Sequence, residues 1–382
     1  MKKKKLIIFV NQLLNKHNCD RFDINNSNNE DVIKEFWCLL PITNKKLYKA
    51  YNSKEFRAQK NKNFKIITSY YELLKKCLDI KDNHYYINWA HGFRFNYFLE
   101  IILKIQGAKK IHRFFTNINK TIENKIKKKN LKLKLKLLIK NYLNFFLPNV
   151  SLYFVESQLN FNQVKEIENN HSKIIRINSF DYSAFKKINQ KQVKKKHILF
   201  LDSNIEKSYE SQLLNYKKRI SLNDYWNTMK KIFSLYEKKY NKKVIIASHF
   251  RRSIKNQPIS KKFYFDKTTK LISESMIVLG HFSQSIHWAV YFKKPITLIY
   301  FKEFEKILFS NKQMSDFYRK NLDLNRINVD EQFKFNYKIN SKELKINKKK
   351  YTNFEKLYLS NSINNTKKIN GWDTITETIK FD

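Results

Sequence analysis

The sequence predicts an α/β protein with two Rossmann-like domains that face a cleft, followed by a helical C-terminal tail. Its apolar runs are short, do not alternate, and are separated by stretches with helical spacing, as in parallel sheets covered on both faces. These runs form two series, divided by a polar and basic stretch at residues 181–196. A chain of 382 residues can supply a core to each series. We expect domains at 1–185 and 190–305, and a tail at 306–382 that crosses back to the first domain.

The first series predicts six strands, at residues 5–10, 64–68, 86–89, 110–114, 151–155 and 173–177. Residues 70–78 and 95–105 have helical spacing between them. A lysine-rich segment at 121–147 is also interpreted as helix, although the Leu–Lys alternation at 131–136 is compatible with a strand.

The second series predicts strands at residues 197–201, 244–247, 263–265, 276–279 and 295–300. Helices are expected between them at 222–239, 267–275 and 285–292. From about residue 303 the pattern is helical and polar to the C-terminus.

Composition limits the class of protein. The net charge is +44, but Lys, Asn, Ile, Phe and Tyr are enriched together, which is typical of an AT-rich genome. We therefore expect no nucleic-acid partner, and peripheral contact with an anionic membrane stays open. Three separated cysteines, without a C-x-x-C pair, favour a reducing compartment and disfavour a zinc site or a disulfide framework. The short apolar run at the N-terminus predicts a core strand, so the expected location is cytoplasmic, and a peripheral position on the inner membrane stays open.

Glycine is scarce, with 4 residues in the chain, which excludes a G-x-G-x-x-G motif and a P-loop. Two of the four adjoin a histidine near a predicted strand end, in His91-Gly92 and Gly280-His281. We expect a tight turn or a close backbone approach at these two glycines.

Cationic and hydroxyl side chains follow two predicted strands of the second series. Phosphate is commonly held where such a strand end meets the start of a helix, because backbone N–H groups and the helix dipole converge there. The alternative is structural, with a histidine that caps its strand and serines that cap a helix. The predicted phosphate-binding residues are His249, Arg251, Arg252, His281, Ser283, Gln284 and Ser285.

Several motifs follow one another along residues 174–302. They are INSFDY at 177–182, FLD at 200–202, Tyr225-Trp226, VIIASH with Arg251, Thr268-Thr269, and GHFSQSIHWAVYFKKPI from Gly280. In this order they resemble bacterial surface-carbohydrate (capsule and lipopolysaccharide) biosynthesis proteins of the GT-B glycosyltransferase architecture. The two histidine motifs are also similar to the His-Pro and Ser-Ser/Thr motifs of bacterial sialyltransferases, which bind a CMP-activated sugar. Phe250 and Gln284 depart from those motifs, and residues before 170 carry no match.

The resemblance implies a nucleotide-sugar glycosyltransferase. Because no D-x-D motif follows a predicted strand, we expect no obligatory metal ion, and we expect no cofactor. Its donor would be a nucleotide sugar, with a CMP-sugar favoured, and its acceptor a surface polysaccharide or a lipid-linked glycan. A general base must accept the proton of the acceptor hydroxyl, and the candidate catalytic residues are His91 and Asp202. Two other hypotheses stay open. One is a sugar-nucleotide epimerase or hydrolase of the same fold, and the other is a non-enzymatic basic protein that binds membranes or nucleic acid.

Overall fold

The structure is a computed structural model. It describes residues 3–14, 19, 22–24, 31–51, 61–90, 96–114, 147–166, 172–179, 181–182, 185, 195–204, 221–249, 252, 258–265, 267–283, 285–306, 310–359 and 371–382. Two compact α/β units account for them. Described residues up to 182, together with 358–359 and 371–382, form the first unit, and those from Phe185 to Leu357 form the second. The predicted α/β class, with two Rossmann-like units, is confirmed.

The first unit contains a seven-stranded parallel sheet with the strand order β3-β2-β1-β4-β5-β6-β7. Its first five strands have the Rossmann order, in which the chain leaves β1 on one side and returns on the other at β4. The strands are β1 (Lys4–Val10), β2 (Val32–Cys38), β3 (Phe64–Ile66), β4 (Tyr85–Asn88), β5 (Lys109–Phe114), β6 (Val150–Val155) and β7 (Lys173–Arg176).

Helices cover this sheet. A buried cluster joins Phe9 and Tyr86 of the sheet to Leu73 and Leu103 of two helices. The last helix of the chain also packs in this unit, where Trp372 lies edge-on to Phe36. The helices of the unit are α1 (Leu40–Thr43), α2 (Lys45–Tyr51), α3 (Tyr70–Leu78), α4 (Asn96–Ile105), α5 (Gln158–Lys165) and α11 (Gly371–Phe381).

Strand β2 was not predicted, because charged residues interrupt its apolar run. Lys34 and Glu35 are nevertheless buried in the sheet. The Glu35 carboxylate accepts hydrogen bonds from Lys65 Nζ at 2.7 Å and from Trp37 Nε1 at 3.0 Å. Burial alone would raise the pKa of Glu35, but these donors outweigh it, so the net pKa is lowered. Local pairing thus lets a charged strand lie inside a parallel sheet.

The second unit contains a six-stranded parallel sheet with the strand order β10-β9-β8-β11-β12-β13. This is again the Rossmann order, with the switch point between β8 and β11. Its strands are β8 (His197–Leu201), β9 (Val244–Ala247), β10 (Phe263–Tyr264), β11 (Ser275–Gly280), β12 (Ile296–Phe301) and β13 (Asn325–Val329). Its helices are α6 (Leu222–Tyr240), α7 (Thr268–Glu274), α8 (Ile286–Tyr291), α9 (Ser310–Leu322) and α10 (Lys348–Phe354).

Helix α6 forms the main core of the second unit. Ser221 caps its N-terminus by accepting the Asp224 N–H, and Asn241 ends it in the left-handed conformation. The face that includes Met229 and Phe233 packs against Phe200 and Ile246 of the sheet. This packing fixes the strands whose carboxyl ends form the candidate site.

The region expected as one helical tail divides between the units. Residues 310–357 stay with the second unit and include the edge strand β13, whereas α11 belongs to the first unit. The predicted helix at 121–147 lies outside the described residues. Among the described residues, none of the helices combines the length and the apolar composition needed to cross a lipid bilayer.

The two glycines next to histidines have different outcomes. Gly92 lies outside the described residues. At Gly280 an added Cβ would lie 3.4 Å from Leu201 Cβ, which is an ordinary van der Waals contact. The backbone approach at Gly280 is therefore not close enough to require glycine. Among the described residues, Gly107, with a φ of 74°, is the glycine whose backbone lies in the left-handed region, and it follows the end of α4.

Candidate functional site

Three strand ends lie side by side at the switch point of the second sheet. Leu201 of β8 pairs in register with Ala247 of β9 and with Gly280 of β11. All three strands are parallel, so the residues that follow them leave the same edge of the sheet at the same level. Neighbouring strands are about 4.8 Å apart. The register therefore places the residues that follow β8, β9 and β11 side by side.

Asp202, the first residue after β8, joins two of these strand ends. Its carboxylate pairs with the guanidinium of Arg252, through Oδ2 to Nε at 2.5 Å and through Oδ1 to an Nη at 2.9 Å. Oδ2 also accepts the backbone N–H of His249 at 3.2 Å, and Oδ1 accepts that of Asn204 at 2.9 Å. The side chains of Asp202 and Arg252 are 0% and 3% exposed. Asp202 therefore clamps the loop after β9 onto the loop after β8.

This geometry favours a positioning role for both residues of the pair. The four donors around Asp202 occupy both carboxylate oxygens, so a proton from an acceptor hydroxyl would have to displace one of them. Arg252 directs Nε and one Nη at Asp202, and its guanidinium carbon lies 5.2 Å from the centre of the Trp226 ring. The predicted role of Asp202 as a base would require breaking this buried ion pair, whereas the second Nη of Arg252 takes no part in the pair.

Two polar groups next to this clamp are enclosed but not satisfied. Ser203 Oγ and Asn204 Oδ1 are buried and have no hydrogen-bond partner among the described residues. Asn204 is 4% exposed, and its φ of 47° places it in the left-handed region, which asparagine tolerates better than most residues. A buried polar group without a partner costs about 1–3 kcal/mol. Two such groups at a Rossmann switch point are typical of a site that a ligand completes.

His281 was predicted to bind phosphate, and the structure instead places its side chain in the core. Nδ1 lies 2.7 Å from the carbonyl oxygen of Ile299, so Nδ1 carries the proton and donates it. Nε2 then accepts the hydroxyl of Tyr225 at 2.9 Å. The ring is 1% exposed and packs edge-on against Phe200 and Phe301. Both ring nitrogens are thus engaged, and the correction follows from the burial of the ring.

We expect the burial of His281 to make folding sensitive to acid. Desolvation lowers the pKa of His281 to about 4, although its hydrogen bond to Ile299 opposes the shift. In the unfolded chain His281 takes up a proton near pH 6.5, whereas in the folded chain it stays neutral down to about pH 4. The free energy of unfolding is therefore highest above pH 6.5 and falls as the pH drops from 6.5 to 4. The loss is about 2 kcal/mol at pH 5.

Urea denaturation at pH 7 and pH 5 measures this loss, with His281→Asn as the comparison. Asparagine retains an N–H near the Nδ1 position and does not titrate. The wild-type chain should lose about 2 kcal/mol more than the variant between the two pH values. Equal losses in both proteins would contradict the assignment.

The serines after β11 form the turn that starts α8. Ser283 Oγ accepts the backbone N–H of Ser285 at 3.2 Å, and the Ser283 carbonyl accepts that of Ile286 at 3.0 Å. Ser285 occupies the N-cap position, and its side chain makes no capping hydrogen bond. These backbone hydrogen bonds agree with the structural interpretation of the two serines as turn and cap residues. Both serines are also partly exposed next to the carboxyl end of β11.

Three of the predicted site residues cannot be placed. His91, Arg251 and Gln284 lie outside the described residues. Within the described part of the chain, no group of three or more His, Cys, Asp or Glu side chains is arranged to hold a metal ion.

Ser203 and Asn204 were missed by the sequence analysis. The available signal was their position directly after the FLD motif, since the loop that follows the first strand of a Rossmann unit is where its ligands bind. Their lack of a partner, which makes them candidates, is visible only in three dimensions.

Comparison with known proteins adds distant likenesses. No protein-family model matches the chain, and no curated protein matches it in sequence. Among solved structures it is similar to the UDP-GlcNAc 2-epimerase of Methanocaldococcus jannaschii, with 11% identity, a TM-score of 0.43 and 100% of each chain covered. It is also similar to the spinosyn forosaminyltransferase SpnP, with 6% identity, a TM-score of 0.39 and 86% of each chain covered. Anabaena HepE, solved with UDP and glucose, has 10% identity, a TM-score of 0.35 and coverage of 77% of this chain and 80% of its own.

Proposed function

We propose that the chain is a GT-B-type glycosyltransferase whose nucleotide-sugar donor binds at the carboxyl end of the second sheet. The observation that carries the proposal is the pair of buried, unsatisfied groups, Ser203 Oγ and Asn204 Oδ1, at the switch point. The hydroxyl of Ser203 can donate to a phosphate oxygen. The amide oxygen of Asn204 can accept from a ribose or sugar hydroxyl. The buried Asp202–Arg252 pair holds this loop in place.

The reaction would be displacement at the anomeric carbon of the donor sugar. The bond from that carbon to the phosphate oxygen breaks, and the nucleotide leaves with the electron pair. A new bond forms to the acceptor oxygen, whose proton passes to a base. Preorganised donors at the phosphate stabilise the departing charge, and removing one such donor commonly costs about 2.7–4 kcal/mol of activation free energy. His91 remains the predicted base, because the Asp202 carboxylate is occupied.

The identity of the substrates is part of the same proposal. A CMP-sugar is the donor that the motif resemblance favours, and a surface polysaccharide or lipid-linked glycan is the acceptor. Neither a metal ion nor a further cofactor is part of the proposal, since the Ser203 hydroxyl and backbone N–H groups at the strand ends would supply the donors. The reaction would take place in the cytoplasm, with the enzyme on the inner surface of the membrane where a lipid-linked acceptor is presented.

The donor site is tested with the double variant Ser203→Ala, Asn204→Gly. Glycine keeps the left-handed backbone of position 204 and removes the amide. Thermal unfolding is measured with CMP, UDP, GDP and CDP. The nucleotide that the donor carries should stabilise the wild-type chain by about 2.7 kcal/mol when it is present at 100 times its dissociation constant. The variant should bind it at least tenfold more weakly, which corresponds to about 1.4 kcal/mol.

A matched control is Ser273→Ala, Asn241→Gly, which makes the same changes just before β11 and β9, at the amino ends of those strands. Asn241 also has a left-handed backbone, with a φ of 49°. Equal nucleotide affinity in the two double variants would remove the donor-site assignment.

A separate experiment distinguishes the possible activities. The chain is incubated with the sugar derivative of the nucleotide that binds, because an epimerase or hydrolase turns over without an acceptor and a transferase requires one.

A further inference from the structure

A cavity lies in the same unit, at the carboxyl ends of β12 and β13. Its volume is about 570 Å³, and it is lined from the ends of β12 and β13, from the start of α9 and from the loop after β13. This size lies within the usual range for small-molecule sites. Lining residues that the argument uses are Tyr300, Lys302, Lys312, Arg326, Lys334 and Phe335.

The cavity lining has a net positive charge, because its four cationic side chains outnumber its two carboxylates, which accept hydrogen bonds from neutral groups. Glu305 accepts the hydroxyl of Tyr300. Asp330 Oδ1 accepts the backbone N–H groups of Gln332 and Lys334 at 2.9 and 2.8 Å. The exposed ammonium groups of Lys312 and Lys334, by contrast, have no ion-pair partner among the described residues.

The two remaining cations are only partly neutralised. Lys302 lies 3.5 Å from Glu331, and both side chains are about half exposed or more, at 60% and 48%. Such exposed pairs are weak. Arg326 pairs through one Nη with Asp316 at 2.5 Å, and its Nε is buried without a hydrogen-bond partner among the described residues. Lys312 and Lys334 are thus the cations of the lining that have no ion-pair partner among the described residues, and Arg326 Nε is a further donor without one.

The walls of the cavity offer more than charge. The guanidinium carbon of Arg326 lies 4.9 Å from the centre of the Tyr300 ring, which holds that wall rigid. Phe335 adds an apolar surface, and Asn328 and Asn336 add amide groups that can bind hydroxyls. Lysine ammonium groups act as point charges and suit phosphate, which carries close to two charges at neutral pH.

We propose that this cavity binds the phosphate monoester of a small polyhydroxylated molecule, such as a sugar phosphate. Lys312 and Lys334 would neutralise the phosphate, and Arg326 would contribute to the positive field from the wall. Its lining residues come from β12, β13 and the segments beside them, and none of them is among the residues of the proposed nucleotide site. Ser203 and Asn204 follow β8, and β11 lies between β8 and β12 in the sheet. The proposal therefore does not depend on the proposed transferase activity.

Calorimetric titration of the full chain tests the proposal, with glucose 6-phosphate, inorganic phosphate and glucose as probes. We expect glucose 6-phosphate to bind at low ionic strength, inorganic phosphate to bind more weakly, and glucose not to bind. The double variant Lys312→Ala, Lys334→Ala should weaken glucose 6-phosphate binding by about tenfold or more. Both side chains are exposed, so the variant should retain its unfolding temperature, which is measured alongside.

The matched control is Lys230→Ala, Lys231→Ala, which removes the same charge from exposed positions of α6. It should change the affinity less than twofold. Three outcomes would overturn the proposal. These are absence of binding by glucose 6-phosphate, equal weakening in the two lysine variants, and loss of binding in Ser203→Ala, Asn204→Gly. The last result would place the phosphate at the nucleotide site, whereas failure of nucleotide binding alone leaves this proposal standing.

Discussion

Asp202→Ala is expected to lower the free energy of unfolding by about 3–5 kcal/mol. The substitution leaves the guanidinium of Arg252 buried and without its carboxylate, because the Arg252 side chain is only 3% exposed. It also removes the acceptor for the backbone N–H groups of Asn204 and His249. The measurement is urea denaturation of the intact chain, followed by circular dichroism and fluorescence. Nucleotide binding should be lost as well, since the loop after β8 is no longer held.

An exposed ion pair in the same unit provides the control for Asp202→Ala. Glu331→Ala removes the partner of Lys302 at the surface and should change stability by less than about 1 kcal/mol. Replacing both buried residues, as Asp202→Leu with Arg252→Leu, should recover part of the lost stability, because no charge is then left unpaired. If Asp202→Ala costs no more than Glu331→Ala, the clamp does not hold the strand ends as described.

Much of the fold could be predicted because most strands are uninterrupted apolar runs. The predicted strand at 197–201 matches β8 in both bounds, and the predicted helix at 70–78 matches α3. Strand β13 was missed for a physical reason. It lies at the edge of the sheet, buries Ile327 and Val329 on one face, and has polar Arg326 and Asn328 at the alternate positions. In a polar, lysine-rich context this alternation was interpreted as part of a helical tail.

The candidate site was predictable only as far as the strand ends. Rossmann order brings the ends of β8, β9 and β11 together, so Asp202, His249 and His281 could be expected at one edge. The hydrogen-bond and ion-pair partners of these side chains could not be predicted. Asp202 pairs with Arg252, which is 50 positions away, and His281 bonds to Tyr225, which is 56 positions away. Side-chain partners at such separations depend on packing, which decides whether a polar residue faces a ligand or the core.

Glu343→Ala is the second substitution expected to have a large effect, and it concerns the opposite end of the same sheet. Glu343 is 1% exposed. Its Oε2 accepts the hydroxyls of Tyr236 at 2.5 Å and Thr297 at 3.1 Å. Its Oε1 accepts the hydroxyl of Tyr337 at 2.8 Å and the backbone N–H of Asn340 at 3.0 Å. One carboxylate therefore fastens the segment after β13 to α6 and β12.

Removing that carboxylate leaves four donors without their acceptor, at least two of them on buried residues. At about 1–3 kcal/mol for each buried group left unsatisfied, and with partial relaxation, the expected loss is about 3–5 kcal/mol of unfolding free energy. Glu343→Gln should cost less, about 1–2 kcal/mol, because one amide oxygen remains and the hydroxyls can rotate to accept from the amide nitrogen. Urea denaturation of both variants and of Tyr236→Phe measures the series.

A double-mutant cycle between Glu343→Gln and Tyr236→Phe distinguishes the network from simple loss of packing. Both substitutions nearly conserve volume, so their effects should be additive if the two side chains only fill space. If Glu343 organises the hydroxyls, the coupling should be at least 0.5 kcal/mol, as is usual for residues that share a hydrogen bond. Additive effects, together with a small cost for Glu343→Ala, would show that burial of the surrounding aromatic rings holds this end of the sheet without the carboxylate.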